Sequence, residues 1–333
     1  MTDLAAKVAF LRRPESYPGN VPEVEAIETH MAWVFLAGDR AYKMKKPVRY
    51  RFLDFSTLEA RRHDCEEEVR LNRRLSPDIY QGLVPLTSGL PGLSLGGDAE
   101  PVEWLVVMKR LPREGMLDRV ITDQRVDTAE VEPAAELLAE FFARQPAEPM
   151  DPEAYVERLR QEVDENATEI PAHAFRLSSA VRRSADALRS FLDQEAELLG
   201  DRVRSGRVIE GHGDLRPEHV FLGPPPAAID CLEFERRFRL LDPAQELAFL
   251  GLECERLGAP WIGRSFLEAY CSTARDFPPD RLVAFYAAHC GLLRAKIAIW
   301  HLEEDVPDPE HWVDKCSRYL DSATRHAHRA LGR

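Results

Sequence analysis

Glu210-Gly211-His212-Gly213-Asp214-Leu215-Arg216-Pro217-Glu218-His219-Val220-Phe221-Leu222, followed after a proline turn by Ala228-Ile229-Asp230, is the stretch on which the fold turns. Two aspartates stand sixteen positions apart, each beside a short apolar run, with glycines flanking the first. The pattern of short apolar runs separated by polar and proline turns reads as a small hairpin presenting two carboxylates at one edge. Such a pair suits chemistry in which one carboxylate orients a hydroxyl and the other holds a metal on a phosphate.

Around this stretch the chain changes texture. Val24–Ile27, Ala32–Leu36 and Ala41–Lys45 alternate as strands, with a hairpin turn at Gly38-Asp39. Ser56-Thr57-Leu58-Glu59 reads as a capping box, with Ser56 as the cap, opening a helix that runs to about Leu75 before Ser76-Pro77. Strands follow around Leu83–Leu86 and at Trp104–Met108, with a Gly/Pro loop at 89–98 between them. Beyond Lys109–Pro112 the periodicity becomes helical. It is seen at 129–144, in a single amphipathic helix at 176–199 carrying Leu177, Val181, Leu188, Leu192 and Leu199, and near 260–275, 280–303 and 309–331. Asp242-Pro243-Ala244-Gln245 carries the signals of another helix start. The expected fold class is α+β: a strand-rich lobe over 1–110 with an antiparallel sheet and one main helix, and a mostly helical lobe over 111–333.

Bulk composition limits the function classes. Length favours two lobes over one small core. A net charge of −13 argues against wrapping nucleic acid or sitting on an anionic membrane. Six cysteines at 65, 231, 254, 271, 290 and 316 form no C-x-x-C pair, and the N-terminus lacks the build of a signal peptide. No uninterrupted run of about 18 apolar residues occurs, and a reducing cytoplasm is the expected compartment.

His212-Gly213-Asp214, with His219 five positions after the aspartate and Asp230 in the next turn, resembles the aminoglycoside phosphotransferase and choline kinase side of the protein-kinase-like fold. The string Phe52–Glu59 and His212–His219 are similar to a bacterial aminoglycoside-phosphotransferase-like subfamily whose members often continue into a P-loop ATPase domain. No G-x-x-x-x-G-K-[ST] occurs here, so that second activity is not expected. The resemblance implies ATP and Mg²⁺ as cofactors and a small-molecule hydroxyl as acceptor, without nucleic acid or membrane partners, in a monomer or homodimer. Asp214 would orient the hydroxyl and Asp230 would hold the metal. Lys43, in Ala41-Tyr42-Lys43, would pair the nucleotide phosphates, steadied by Glu68 or its neighbour Glu67. Met108 and Lys109 would sit in the adenine hinge.

Several positions stay open at this level. Lys45 points to the same strand face as Lys43 and competes for its role. The run Arg40, Lys43, Lys45, Lys46, Arg49 and Arg51 is too sparse in aromatic partners for a nucleic-acid surface. His219 occupies the slot where kinases keep an asparagine. It can ligate metal, contact phosphate, or pack structurally, and an imidazole is a softer ligand than Mg²⁺ prefers. If its neutral form is required, activity falls as pH drops through about 6.5. The Gly-rich phosphate loop is absent; Glu28-Thr29-His30-Met31-Ala32 stands in its place, where Thr29 can bond a phosphate or simply close a turn. Glu233 faces the Asp230 region, and Asp242 reads as a helix cap. The Arg325-His326-Ala327-His328 cluster reads as a solvated helix end. The acidic composition tilts the acceptor toward a cation. The leading expectation is a small-molecule kinase. A catalytically silent nucleotide sensor is the alternative, and a metal hydrolase using His212, Asp214, His219 and Asp230 is the third.

Overall fold

The structure is a computed structural model that describes residues 3–90, 92–170, 177–303 and 308–332. It divides into two compact units, Met1–Met116 with Gly223–Phe238, and Leu117–Leu222 with Arg239–Arg333.

The first unit begins with helix α1 (Leu4–Leu11) and strands β1 (Val24–Glu28), β2 (Ala32–Ala37) and β3 (Arg40–Lys45). A short ribbon, β4 (Arg49–Tyr50) with β5 (Leu53–Asp54), leads to helix α2 (Leu58–Asn72). Strands β6 (Tyr80–Ser88), β7 (Leu93–Leu95) and β8 (Glu100–Lys109) complete a six-stranded antiparallel sheet in the order β1-β2-β3-β8-β6-β7. Strand β7 lies within the expected 89–98 loop, where Leu93 and Leu95 supply the alternation. The cap of α2 is Thr57 rather than Ser56: its hydroxyl accepts from Ala60 N at 3.1 Å, while Ser56 Oγ donates to Asp54 at 2.6 Å. Phe35, Met44, Leu86 and Leu105 form the dry centre of the sheet's core. Buried Glu103 on β8 accepts from Lys7 of α1 at 2.8 Å and bidentately from Arg61 of α2 at 2.8 and 2.9 Å, fixing both helices to the strand.

The segment carrying Asp230, expected in the helical lobe, belongs to this first unit. The reason is a row of hydrogen bonds to the end of α2 and the turn after it. Ser76 Oγ donates to Ala228 O at 2.7 Å, Asn72 Oδ1 accepts from Cys231 N at 2.9 Å, and Tyr80 Oη accepts from Asp230 N at 3.0 Å. Strand β11 (Ala227–Ala228) lies in this segment.

The second unit is helical: α3 (Leu117–Thr122), α4 (Thr128–Arg144), α5 (Pro152–Thr168), α6 (Ser178–Gln194), α7 (Ala196–Arg204), α8 (Pro243–Arg256), α9 (Pro260–Ala274), α10 (Asp280–Trp300) and α11 (Pro309–Ala330). It also holds the short strands β9 (Ile209–Glu210), β10 (Val220–Phe221) and β12 (Leu240–Leu241). The helix expected over 176–199 is two helices, because Glu195 leaves helical geometry at φ −118° and ψ 20°; position 176 itself lies outside the described residues. Its stripe of Leu177, Val181, Leu188, Leu192 and Leu199 is nonetheless buried in one core with Tyr155, Phe285 and Tyr286. Helix α5 was not expected, although Asp151 caps it and Pro152 opens it, as Asp242 and Pro243 do for α8.

By length and composition α10 could cross a membrane, with a mean hydropathy of 1.4 over its best window, but 78% of that window is buried inside the structure. It packs against α5, α6, α8 and α11 as a core helix. The hairpin expected around Asp214 also differs: β9 pairs with β12, Ile209 opposite Leu241 and Glu210 opposite Leu240, so the first strand finds its partner some thirty residues on.

Candidate functional site

In the first unit the side chains of Lys43 and Lys45, two residues apart on β3, point to the same face and meet α2. Glu68, fully buried, bridges them: Oε1 lies 2.9 Å from Lys43 Nζ and Oε2 lies 2.8 Å from Lys45 Nζ. Lys43 also reaches Asp230 Oδ1 at 2.7 Å. Lys45 is held by Asp64 at 2.8 Å, one helical turn before Glu68, and by Glu233. The two lysines therefore differ in access: the Lys43 side chain is 15% exposed and the Lys45 side chain 2%.

Burial alone would press both ammonium groups toward neutrality. The surrounding carboxylates outweigh it, led by Asp230 at Lys43 and by Glu233 at Lys45, and both pKa values are held well above their ordinary position. Burial dominates at Glu233, whose carboxyl is raised despite the two lysines.

Asp230 has a left-handed backbone, with φ at 62°. A non-glycine residue there carries strain of order 1–3 kcal/mol, which surrounding contacts must hold. Tyr80 holds its amide and Lys43 its carboxylate, whose side chain remains 42% exposed. Two more cations of the basic run are paired: Lys46 meets Glu28 at 2.6 Å and Arg49 meets Asp54 at 3.2 Å. Glu67, the alternative to Glu68, pairs with Arg70 on the exposed side of α2.

The remaining expected nucleotide contacts are engaged locally. Thr29 closes the β1–β2 turn, its hydroxyl donating to Ala32 O at 3.0 Å and accepting from Ala32 N at 3.0 Å. Met108 lies on β8 opposite Ala41 and Tyr80, and Lys109 donates its amide to Ile79 O at 2.9 Å.

In the second unit, the loop bearing Asp214 is built on Glu246 of α8. This buried carboxylate accepts from His212 N at 3.0 and 2.9 Å and from Gly213 N. Gly213 takes a positive φ of 86°, a conformation glycine adopts without strain. His212 Nδ1 accepts from Asp214 N at 3.3 Å. Asp214 Oδ1 lies 3.0 Å from Arg216 Nε. Burial raises the Asp214 carboxyl, but Arg216, His219, Arg294 and His212 outweigh it and hold the pKa below its ordinary value, so the group is a carboxylate at neutral pH.

His219 Nδ1 donates to Asp214 O at 2.8 Å, and Nε2 accepts from Arg216 Nη2 at 3.4 Å. Both ring nitrogens thus have partners inside the loop. Asp242 caps α8 through Ala244 N at 2.9 Å and is gripped bidentately by Arg202 at 2.6 and 2.9 Å. Arg202 grips Asp276 in the same way at 2.6 Å.

No group of three or more His, Cys, Asp or Glu among the described residues forms a metal cage. The donors present suit Mg²⁺ bound another way. Mg²⁺ keeps several waters and is held by one or two carboxylates together with substrate phosphates, a role the exposed carboxylate of Asp230 can fill. Sequence reasoning did not find Asp64 or Glu246. Asp64 was legible, being four residues before Glu68 on one helix face; Glu246, which meets the loop from a separate helix, had no local signal.

No protein-family model matches the chain. Uncharacterized proteins of Mycobacterium bovis and Mycobacterium tuberculosis are 34% identical to it over 316 residues, covering 94% of this chain and 61% of theirs. The chain thus spans less than two thirds of the length of the curated relatives it matches. Among solved structures, a choline/ethanolamine kinase family protein from Mesorhizobium loti aligns with TM-score 0.52 at 14% identity, covering 98% of each chain. Choline kinase from Cryptosporidium parvum aligns with TM-score 0.57 at 11% identity, covering 98% of this chain and 96% of that one. With an antiparallel sheet and its helix in one unit and a helical second unit, the chain has the two-lobed protein-kinase-like fold of the choline kinases.

Proposed function

We propose that this protein is a small-molecule kinase, transferring the γ-phosphate of ATP to a hydroxyl with Mg²⁺. The observation that carries the reading is the Lys43–Glu68–Asp230 constellation: an accessible lysine held between a buried helix carboxylate and a strained, exposed aspartate. Phosphoryl transfer needs a cation for the phosphates, a hard oxygen ligand for the metal, and a carboxylate that aims the acceptor. Lys43 supplies the first and Asp230 the second. Asp214, kept ionised by Arg216, supplies the third, accepting a hydrogen bond from the acceptor hydroxyl. Bound Mg²⁺ would neutralise charge on the phosphate oxygens. His219 braces the loop through its two ring nitrogens, rather than serving as a metal ligand. Glu233 and Asp64 hold Lys45, leaving Lys43 as the cation for phosphate.

The test is ADP release with ATP, Mg²⁺ and a pool of amino sugars, aminoglycosides, amino alcohols and other hydroxyl compounds. Turnover above the acceptor-free rate, abolished by Asp214→Asn, is the expected result. The engaged ring of His219, in the slot where kinases keep a metal-binding amide, favours one rival: a silent nucleotide sensor. Saturable ATP binding with no turnover across the pool would select it.

A further inference from the structure

Cations crowd the surroundings of Asp214 although the chain as a whole is acidic. Arg216 sits on the Asp214 carboxylate at 3.0 Å and on Glu218 at 2.6 Å. Glu253 of α8, buried to 1% exposure, gathers cations from two helices: Arg256 Nε at 2.9 Å and Arg294 Nε at 3.3 Å. Tyr319 of α11 donates its hydroxyl to the same carboxylate at 2.7 Å. The guanidinium carbons of Arg294 and Arg256 lie 5.6 and 5.7 Å from its ring centroid.

Lys315 completes the group, one helical turn before Tyr319 on the same face of α11. Its ammonium stands 4.7 Å from the Trp312 ring centroid, and among the described residues no carboxylate lies within ion-pair distance of it. Burial presses its pKa down, and Arg294, Arg256 and Arg216 press it further, with Glu253 alone opposing. A half-buried ammonium beside three guanidiniums is an unfavourable arrangement until an anion joins it. The chain has 57 acidic and 44 basic residues, yet four cations gather around Glu253 and Arg216, two of which, Arg216 and Arg294, also act on the Asp214 carboxylate.

We propose that Arg216, Arg256, Arg294 and Lys315 form a subsite for an anionic group of the acceptor, so that the substrate is a hydroxyl compound bearing a phosphate, sulfate or carboxylate. This rests on the kinase reading above for its link to turnover, but not for the anion site itself. Arg216 would bring the anion-bearing molecule alongside Asp214, and Lys315 would supply the charge that no protein carboxylate answers. The acidic whole-chain balance, which tilted the expectation toward a cationic acceptor, describes the surface at large and not this face.

The experiment has two arms on the full chain. In the first, sodium sulfate is titrated calorimetrically at constant ionic strength, with ADP and Mg²⁺ saturating. The wild type should show one saturable site. Lys315→Gln should weaken it by about tenfold, the scale of one charge-assisted hydrogen bond, and Lys315→Arg should restore it. Equal sulfate binding in wild type and Lys315→Gln overturns the proposal, as does a site seen only when ADP is omitted, which would mark it as the nucleotide's. In the second arm, ADP release is compared for glycerol, glycerate, glycerol 3-phosphate, choline and ethanolamine. Preference for glycerate or glycerol 3-phosphate supports the proposal and tells the carboxylate source from the phosphate source. Preference for choline or ethanolamine overturns it and leaves the kinase reading standing. Lys315-dependent sulfate binding with no acceptor turned over sinks the kinase reading and keeps the anion site.

Discussion

Replacing Gly211 by alanine should unseat the loop that carries Asp214. An added Cβ would stand 2.7 Å from Glu246 Oε2, 3.0 Å from Glu246 Cδ and 3.1 Å from Leu241 Cδ1. Gly211 lies outside the left-handed region, so backbone strain does not confuse the result. The Glu246 carboxylate is buried, and moving it means giving up its bonds from His212 N and Gly213 N. Each hydrogen bond to a charged group contributes roughly 1.5–3 kcal/mol, and overpacking adds about 1–3 kcal/mol. Losing one bond with partial overpacking gives about 3–5 kcal/mol. Urea unfolding followed by far-UV circular dichroism, dominated by the helices of the second unit, measures this. The decisive form is a double-mutant cycle with Glu246→Ala, which removes the obstacle. In that background Gly211→Ala should cost no more than about 1 kcal/mol, leaving a coupling of about 2 kcal/mol or more. If Gly211→Ala is within about 0.5 kcal/mol of wild type, or if the two changes simply add, Glu246 does not hold the loop as described.

Other outcomes separate the two lysines and the two aspartates. Lys45→Met strands Asp64, Glu68 and Glu233 without their shared cation and should destabilise the first unit by about 3–5 kcal/mol in urea. Lys43→Met should instead show mainly as weakened ATP binding by calorimetry; the reverse ranking would exchange the roles assigned to them. Asp214→Asn should abolish ADP release while ATP still binds, whereas Asp230→Asn should reduce Mg²⁺-dependent nucleotide affinity; near-native turnover in Asp214→Asn refutes the role given to that carboxylate. Glu255 on α8 accepts from His326 of α11 at 3.0 Å; this bond chiefly, against burial and with help from Arg325, draws its carboxyl from 4.5 to about 2. A depressed carboxyl stabilises above its unfolded value, and that contribution disappears as pH falls through the folded one. The Tm gap between wild type and Glu255→Gln should therefore be full above about pH 5 and close toward pH 2; a gap constant down to pH 2 counts against the pairing.

Much of the fold could be read from local pattern. In the first unit β1, β2 and β3 with the Gly38-Asp39 turn, β6 and the apolar run of β8 declare themselves locally, as α9, α10 and α11 do by their apolar spacing. What could not be read depended on distant partners. Nothing near Glu195 signals a break, since neither glycine nor proline stands there. Asp230 joins the first unit because Asn72, Ser76 and Tyr80 bind its neighbourhood, contacts that span about 150 residues of chain. The sequence left the choice between Lys43 and Lys45 open because strand periodicity puts both on one face. The difference lies in depth: Asp64 and Glu233 enclose Lys45, while Lys43 keeps an opening to solvent. Likewise, net charge is a sum over the surface and carries no information about the cations beside Asp214.

Glu68 gives one oxygen to each lysine, and that division has a mechanical consequence. Protein kinases control activity by moving the helix that bears the equivalent glutamate, making and breaking its pairing with a single lysine. Here α2 is riveted twice to β3. If Lys43 turns to a phosphate in the proposed role, Lys45 would still fasten Glu68, with Asp64 as a further rivet one turn along the helix. Swinging α2 away would open a buried knot of charge that no single partner could close again. On the proposed roles, α2 would act as a wall held at two points, and control through its position would have to break both.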